Sequence, residues 1–482
     1  MNSIEQATGL QFGIGKRRSM RFLAMGAACA LASWQPVPAQ VENLYSALGK
    51  TLENSPTLAA RRAELAARSE SIVLARRDGR PTVTGFLGAT ENLQYQLPSV
   101  FNPERRGRAD LALDVPLMMG GRVRNAVEAA ASTYQSDWAQ ERVAITELLL
   151  EAVMAYANVL RDEAVVELSQ SQIDNLELNL RMAEARFTIG DLSRTDVAQS
   201  TARLALARAE QSEAVSNLRQ SQEEYLAIVG VPATDLEPPE FDVAIPVDER
   251  QAIETALMHN DALDAVRHRV RAADYRIAAA RSERRPKIYG TTSVRYFNYF
   301  DSITTDLPFQ PRFEGTAVDV GLTVEIPLYQ GGSPAAKVRR ANSEKYSSLE
   351  EATAIERAVV GRVRTARARL DSLALEAVQA AIAIEANEQA LRGARVEHEM
   401  GMRTLLDVLD AESELLEAQK FALSVERDRT IAKFALAVAL GSASPEALGP
   451  ARPGDPRFSA PPTPRASWSD WADGDASMAI RY

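Results

Sequence analysis

The strongest constraint on the fold is that the chain contains two copies of one sequence unit. Val115-Pro116-Leu117, followed by Gly120-Gly121, recurs as Ile326-Pro327-Leu328 followed by Gly331-Gly332, at an offset of 211 residues. No gap is needed from Pro116 to Gly230, and further positions match at the same offset: Gly190 with Gly401, Asp196-Val197 with Asp407-Val408, and Leu204 with Leu415. Chance does not maintain one register over such a distance, so the sequence indicates a tandem duplication.

Each copy contains the same order of predicted elements. A helix rich in alanine and arginine comes first, at about residues 41–78 and 249–284, and Arg-Pro pairs end both helices because proline disfavours helix in the residue before it. Two strands, a very long helix, a break at glycine and a second long helix follow. We therefore divide the chain into two repeats, residues 40–235 and 236–441, and a proline-rich tail predicted to be disordered, residues 442–482.

The long helix of the first copy limits the architecture further. Residues 122–189 contain neither proline nor glycine, and at 1.5 Å per residue such a helix is about 100 Å long. The return helix, residues 191–229, is about 58 Å long. Helices of this length need lateral partners along their whole length, as in a coiled coil or an α-barrel. Antiparallel pairs from both copies predict the wall of a duct.

The predicted strands alternate between apolar and polar residues, as residues 110–115 and 318–326 illustrate. A barrel strand between lipid and water has this pattern, and so does a soluble sheet with one buried face. No stretch after residue 40 has 18 uninterrupted apolar residues, so a membrane crossing is predicted to use the strands. Residues 96–108 and 298–315 are predicted as outer loops. Aromatic residues at one strand end favour the barrel, as an interfacial girdle would: Tyr296, Phe297, Tyr299 and Phe300.

The N-terminus has the pattern of an export signal. Four basic residues between Lys16 and Arg21 precede an apolar core at residues 22–33, and Val37-Pro38-Ala39 offers a cleavage site after Ala39. Residues 1–39 are therefore predicted as a signal peptide, with a buried N-terminal helix as the alternative. The single cysteine, Cys29, lies inside this segment, so the mature chain is predicted to have no thiol. The net charge of −10 argues against nucleic-acid binding.

The segment from Gly401 to Ala411, GMRTLLDVLDA, closely resembles the TolC family of outer-membrane channel proteins, and residues 190–197 match it in the first copy. The resemblance implies a mostly helical protomer with membrane β-structure. Three protomers would share a 12-stranded β-barrel, four strands from each, and a periplasmic α-barrel of long antiparallel helices. It also implies an outer-membrane location extending into the periplasm, contact with outer-membrane lipid, and two partners: a periplasmic adaptor and an inner-membrane ABC or proton-driven transporter.

The resemblance places a gate at the helix-turn tips around Gly190 and Gly401. Asp407 and Asp410 lie three residues apart and therefore on one helix face. Three copies would form two stacked carboxylate rings that attract cations and raise one another's pKa. The alternative is an ordinary solvated helix face.

By resemblance, Arg403 would link to Thr195 and Asp196 of the neighbouring coil and hold the mouth shut. His398 stands where the family often has tyrosine, which could add pH dependence to gating. In the barrel, Asp114 and Glu325 occupy equivalent polar positions of two strands and are predicted to line the lumen as an acidic belt. The alternative is that they only keep that end of the strands soluble.

The sequence offers no support for catalysis. His259, His268 and His398 do not have metal-ligand spacing, and the chain has no phosphate-binding loop or nucleophile motif. We predict no enzyme activity, metal or cofactor. The predicted function is a passive exit duct, and residues 193–197 favour type I protein secretion over the alternative, small-molecule efflux. A periplasmic coiled-coil adaptor or scaffold is the alternative from another class.

Overall fold

The two copies of the sequence unit fold into two copies of one series of elements. The computed structural model describes residues 42–93, 103–239, 246, 248–300 and 313–443, so the predicted signal peptide and nearly all of the tail lie outside the described residues. The first copy contains α1 (Leu44–Asn54), α2 (Pro56–Arg77), β1 (Thr82–Glu91), β2 (Arg105–Met118), α3 (Arg122–Thr188) and α4 (Arg194–Val229). The second contains α5 (Glu249–His259), α6 (Asp261–Ser282), β3 (Lys287–Asn298), β4 (Glu314–Glu325), α7 (Ser333–Glu399) and α8 (Leu405–Leu440).

The lengths of the long helices agree with the duplication. α3 and α7 each have 67 residues, and α4 and α8 each have 36. The long helices of the second copy, α7 and α8, begin 211 residues after α3 and α4, at the offset that the sequence predicts. In each copy the two helices form a long antiparallel hairpin, and the chain is mostly helical, as expected.

The first helix of each copy was predicted as one element and is two. Pro56 has no N–H to donate, so it is tolerated at the start of α2 but not inside a continuous helix. The Ser55 side chain caps α2 by accepting from the Leu58 N–H. In the second copy, the Asn260 side chain accepts from the Ala262 N–H at 3.0 Å and starts α6. Serine and asparagine are favoured at this capping position, so both breaks have a signal in the sequence.

The four strands form one antiparallel sheet in the order β1-β2-β3-β4, and β2–β3 pairing joins the two copies. Alternation places most of the aliphatic residues of each strand on one face. On β4 this face carries Val318, Val320, Leu322 and Val324, which are 64, 80, 66 and 51% exposed. A soluble sheet with one buried face would cover these side chains. Among the described residues nothing covers them, so the structure favours the alternative in which this face meets lipid.

The aromatic residues at the end of β3 are divided between the two faces of the sheet. Tyr296 lies opposite Thr316 on the apolar face, whereas Phe297 lies opposite Gly315 on the polar face. The Tyr299 ring packs 5.4 Å from Phe297, centroid to centroid. The four aromatic residues therefore crowd one strand end, as predicted, but Phe297 does not face the apolar side, because neighbouring residues of a strand point to opposite sides. The predicted loops also extend too far: residues 105–108, 298 and 314–315 belong to strands.

The largest core lies where the short helices meet the middle of the long ones. Leu48 of α1, Leu149 and Tyr156 of α3, Tyr225 of α4 and Phe434 of α8 are fully buried there. Part of α3 is apolar enough, over an 18-residue window, to cross a membrane by length and composition alone. Helices of a protein core meet the same criterion, so a single helix of this kind is weak evidence for a membrane span.

Candidate functional site at the hairpin tips

The turn at each hairpin tip is followed by the same capping arrangement. Gly190 and Gly401 have positive φ angles of 82° and 74° and end α3 and α7. In the first tip the Asp196 carboxylate accepts from the Ser193 N–H at 2.9 Å and from the Ser193 hydroxyl at 2.7 Å. In the second, Asp407 accepts from the Thr404 N–H at 2.9 Å and from its hydroxyl at 2.6 Å. Both are capping boxes, and they fix the start of the return helix.

These bonds determine the ionisation of the two carboxyls. The hydroxyl and backbone N–H of Ser193 lower the pKa of Asp196, and the nearby His398 has a smaller effect in the same direction. The hydroxyl and backbone N–H of Thr404 lower the pKa of Asp407 in the same way, with a smaller effect of Arg403. The expected rise of the Asp407 pKa by mutual repulsion concerns three protomers together. Within one protomer the capping bonds dominate, so this carboxylate is charged at neutral pH.

We expect the caps to contribute stability at neutral pH that is lost in acid. Because the pKa of each carboxyl is lower in the folded protein, its contribution is present above the ordinary carboxyl range and disappears as the pH falls through the lowered pKa. The variant Ser193→Ala/Thr404→Ala should therefore denature at a lower temperature than the wild type at about pH 7, and the difference should become smaller towards about pH 3. Circular dichroism melting curves measure this.

Thr201→Ala is the matched control. The Thr201 hydroxyl donates to the Val197 carbonyl oxygen and contacts no carboxylate in the described residues. Any effect of its loss should be independent of pH. A wild-type advantage over the double variant that stayed constant down to about pH 3 would contradict the titration argument.

The two hairpins pack against each other at this end. Leu405 and Leu409 of α8 lie in one buried cluster with Ile173 and Leu176 of α3 and Leu204 of α4. The tip of the second hairpin is therefore anchored on the first by apolar side chains directly beside the Asp407 cap. Removing such side chains from water stabilises the contact by about 1.5–3 kcal/mol for each fully buried leucine.

A buried carboxylate lies one turn further along α8. Glu412 is 4% exposed and accepts from Arg395 of α7 at 2.8 Å and from the Asn179 amide of α3 at 3.1 Å and 3.3 Å. It therefore ties both helices of one hairpin to the other hairpin. A charge at such depth is costly unless it is paired and hydrogen-bonded, as this one is.

The sequence analysis missed Glu412, although a signal was present. Buried residues of α8 recur at helical spacing, at Leu405, Val408, Leu409 and Leu416, and Glu412 stands on the same face. A glutamate at a core position of a long helix predicts a buried partner. Its identity could not be read, because Asn179 is 233 residues away.

Two of the predicted gate residues have partners within the protomer. Asp410 forms an ion pair with Arg203 of α4 and so links the two hairpins near their tips. Arg403 pairs with Glu397 of its own hairpin. Half of each of the Asp410 and Arg403 side chains is exposed, so both stay accessible to a neighbouring chain.

His398 lies between the two tips. Its Nδ1 is 3.0 Å from the Arg403 carbonyl oxygen, and its Nε2 is 3.5 Å from a guanidinium nitrogen of Arg186. The neutral ring with the proton on Nδ1 satisfies both contacts, since it donates to the carbonyl and accepts from Arg186. Thr195 is exposed in the first turn of α4. The link from Arg403 to Thr195 and Asp196 stays a prediction about neighbouring coils.

The predicted lumen residues lie on the polar face of the sheet. Asp114 of β2 is exposed opposite Thr82 and Thr291. Glu325 lies opposite Lys287 and pairs with its ammonium group at 3.1 Å. The negative charge of the predicted acidic belt is therefore partly neutralised by Lys287. In the described part of the chain, no three histidine, cysteine or acidic side chains are grouped to hold a metal ion.

Comparison with known proteins identifies the family that has this architecture. A model of the family described as "outer membrane efflux protein" matches residues 47–231 and 252–442, which include most of both copies. The chain belongs to the outer membrane efflux protein family. Membership confirms the predicted TolC-like fold with its tandem repeat, and the location in the outer membrane with extension into the periplasm. The alternative of a periplasmic adaptor or scaffold is thereby set aside.

Individual relatives are named for two kinds of export, efflux and protein secretion. The outer membrane efflux protein BepC of Brucella suis is 27% identical over 409 residues, 85% of this chain and 87% of BepC. The alkaline protease secretion protein AprF of Pseudomonas aeruginosa is 25% identical over 280 residues, 56% of each chain. Among solved structures, the outer membrane protein VceC of Vibrio cholerae has a TM-score of 0.71 at 21% identity, covering 83% of this chain and 96% of VceC. That structure has the same fold.

Proposed function

We propose that the protein is the passive exit duct of a tripartite export system and works as a homotrimer without catalytic activity. The observation that carries the proposal is the sheet. Its apolar face is uncovered, and the outer edges of β1 and β4 have no partner strand among the described residues. Three copies joined edge to edge would close the sheet into a barrel of about 12 strands, which removes both exposed edges.

The hairpins support the periplasmic half of the proposal. At 1.5 Å per residue, α3 and α7 each extend about 100 Å, further than a bilayer is thick. α7 has few buried residues, and its apolar residues Leu375, Val378 and Ile382 are 69, 55 and 54% exposed. Neighbouring protomers would cover this surface in a closed α-barrel. A periplasmic adaptor and an inner-membrane transporter would supply the substrate and the energy.

The tips would be the gate of this duct. Asp407, fixed by its cap, and Asp410, on the same helix face, would form two carboxylate rings. Arg403 would reach Thr195 and Asp196 of the neighbouring coil, and His398 would add its contact between the tips. Every one of these groups lies within a few turns of the hairpin ends, where the pore of a closing α-barrel is narrowest.

We expect Asp407→Asn/Asp410→Asn to lose most of the cation preference of the channel in planar bilayers. Block by a divalent cation such as Mg²⁺ should need at least about tenfold more cation, since rings of carboxylates concentrate cations at a constriction. Asparagine still accepts the Thr404 N–H and so preserves the cap. The measurement is the reversal potential in a salt gradient, together with a Mg²⁺ titration.

Glu184→Gln is the control, because it removes a carboxylate from the exposed surface of α3 close to the tip. If the double aspartate variant kept the wild-type reversal potential and Mg²⁺ block, the carboxylate rings would be wrong. If the purified wild type formed no channels and no trimer that dissociates on heating, the duct itself would be wrong.

Two cargo classes are candidates. We propose type I protein secretion on the basis of residues 193–197, and a relative named for alkaline protease secretion supports it. Small-molecule efflux is the second candidate, because a relative named for efflux matches more of the chain. Deletion of the gene separates them. Loss of a secreted protein with unchanged drug resistance supports the first, and hypersensitivity with normal secretion supports the second.

A further inference from the structure

The polar face of the sheet carries a cluster of basic side chains at the end away from the helices. Arg106 and Arg108 alternate with the apolar-face residues of β2, so both point to the same side as Asp110. Arg295 of β3 lies directly opposite Asp110, and its Nε is 3.2 Å from the carboxylate. Arg108 contacts the same carboxylate. Asp110 therefore balances only one of three guanidinium groups.

The arginine side chains remain available to the pore. The Arg108 and Arg295 side chains are 52% and 50% exposed, whereas Asp110 is 14% exposed beneath them. The Arg108 guanidinium also stands 5.4 Å above the Phe86 ring of β1, a distance at which the ring face attracts a cation. The carboxylate and the ring thus hold the guanidinium groups in place while leaving them open to water.

The opposite end of the same face has the opposite charge. Asp114 and Glu325 lie towards the helices with Lys287 as the basic side chain beside them, and Asp319 lies midway along β4. Over the described strand residues, the polar face therefore carries two net positive charges near the loops, one net negative charge near the helices, and the negative charge of Asp319 between them. This division follows from the register, which places Arg295 beside Asp110 and Lys287 beside Glu325.

We infer that Arg106, Arg108 and Arg295 form a basic ring at the extracellular end of the lumen, which attracts anionic groups on exported molecules after they pass the acidic mouth. The inference rests on the proposed trimeric duct, in which the polar face lines the pore. The helices extend into the periplasm, so the strand ends near the loops face the outside. Three protomers bring nine guanidinium groups and three Asp110 carboxylates to the same end of the barrel, and a narrow lumen of low-dielectric walls strengthens their field.

The test is block of bilayer conductance by inorganic pyrophosphate, added to each chamber in turn. In the wild type, pyrophosphate added on one side should reduce conductance, and the block should weaken with rising salt because salt screens the ring. In Arg106→Gln/Arg108→Gln, half-block should need at least about tenfold more pyrophosphate. Arg106→Lys/Arg108→Lys should retain most of the block, which separates charge from the shape of the side chain.

Arg105→Gln is the matched control. Arg105 is the neighbour of Arg106 on β2, but it lies on the apolar face and pairs with Glu91 at 3.2 Å. It should leave the pyrophosphate block unchanged. The inference is overturned if Arg106→Gln/Arg108→Gln conducts normally and is blocked at the wild-type concentration. Absence of any conductance from the wild type overturns the duct and this inference together, and a normal Mg²⁺ block without pyrophosphate block overturns the inference alone.

Discussion

Alanine in place of Gly441 is expected to destabilise the protein by about 2–5 kcal/mol. Gly441 ends α8 with a φ of 76°, and a left-handed backbone costs an L-residue about 1–2 kcal/mol. A Cβ at this position would also lie 2.5 Å from the His259 carbonyl oxygen and 3.1 Å from the Asn260 backbone nitrogen. Overpacking of a rigid site adds about 1–3 kcal/mol. Backbone atoms that start α6 cannot move aside as a flexible side chain can.

Thermal denaturation of the purified protein, followed by circular dichroism, measures this effect. Gly332→Ala is the matched control, because Gly332 has a φ of 78° and nothing within 4 Å of the added Cβ. Its cost should be the backbone contribution alone, about 1–2 kcal/mol. If the two variants melted at the same temperature, the close contact between α8 and the α5–α6 junction would be wrong.

The second large effect is expected for Arg395→Met. The substitution leaves the buried Glu412 carboxylate with the Asn179 amide and no positive partner. Breaking a buried ion pair from one side costs about 3–5 kcal/mol. About half of the Arg395 side chain is exposed, so we expect the lower end of this range or somewhat less. Because Glu412 also accepts from Asn179 of the other hairpin close to the tips, we expect the basal conductance to rise and the melting temperature to fall.

Arg392→Met controls for the loss of an arginine from α7. Arg392 pairs with Glu388 at 3.5 Å in an exposed position, so its removal should change little. The double variant Arg395→Met/Glu412→Gln should regain most of the lost stability, since no unpaired charge is then buried and glutamine still accepts from Asn179. A double variant as unstable and as leaky as Arg395→Met alone would rule out the unpaired charge as the cause.

The sequence predicted the elements that depend on repetition and on the absence of helix breakers. The offset of 211 residues and the uninterrupted run at residues 122–189 gave α3, α4, α7 and α8 to within a few residues. The breaks before Pro56 and after Asn260 were missed, because one apolar pattern continues through them and only the capping residues mark the ends. The capping side chains of Ser55 and Asn260 therefore set where α2 and α6 begin, although the apolar pattern continues through both positions.

The site was predicted less completely, for a physical reason. Asp407 was assigned to a ring, yet Thr404-x-x-Asp407 and Ser193-x-x-Asp196 are capping boxes that the sequence alone displays. The arginine cluster on the polar face needed the strand register, because Asp110 and Arg295 lie in different copies. Contacts over such distances leave no trace in local periodicity.

The Glu412 contact also bears on the symmetry of the mouth. At the offset of 211 residues, Glu412 corresponds to Thr201 and Arg395 to Glu184, so the first copy cannot make the same ion pair. A ring of three protomers would contain six hairpins of two chemical kinds, with threefold and not sixfold symmetry. In such a ring, the buried Glu412 carboxylate would stabilise the contact between the two hairpins of one protomer. Contacts between neighbouring protomers would need other groups. The two kinds of contact would then loosen independently, so a mouth at the tips would open between protomers while each protomer kept its own pair of hairpins together.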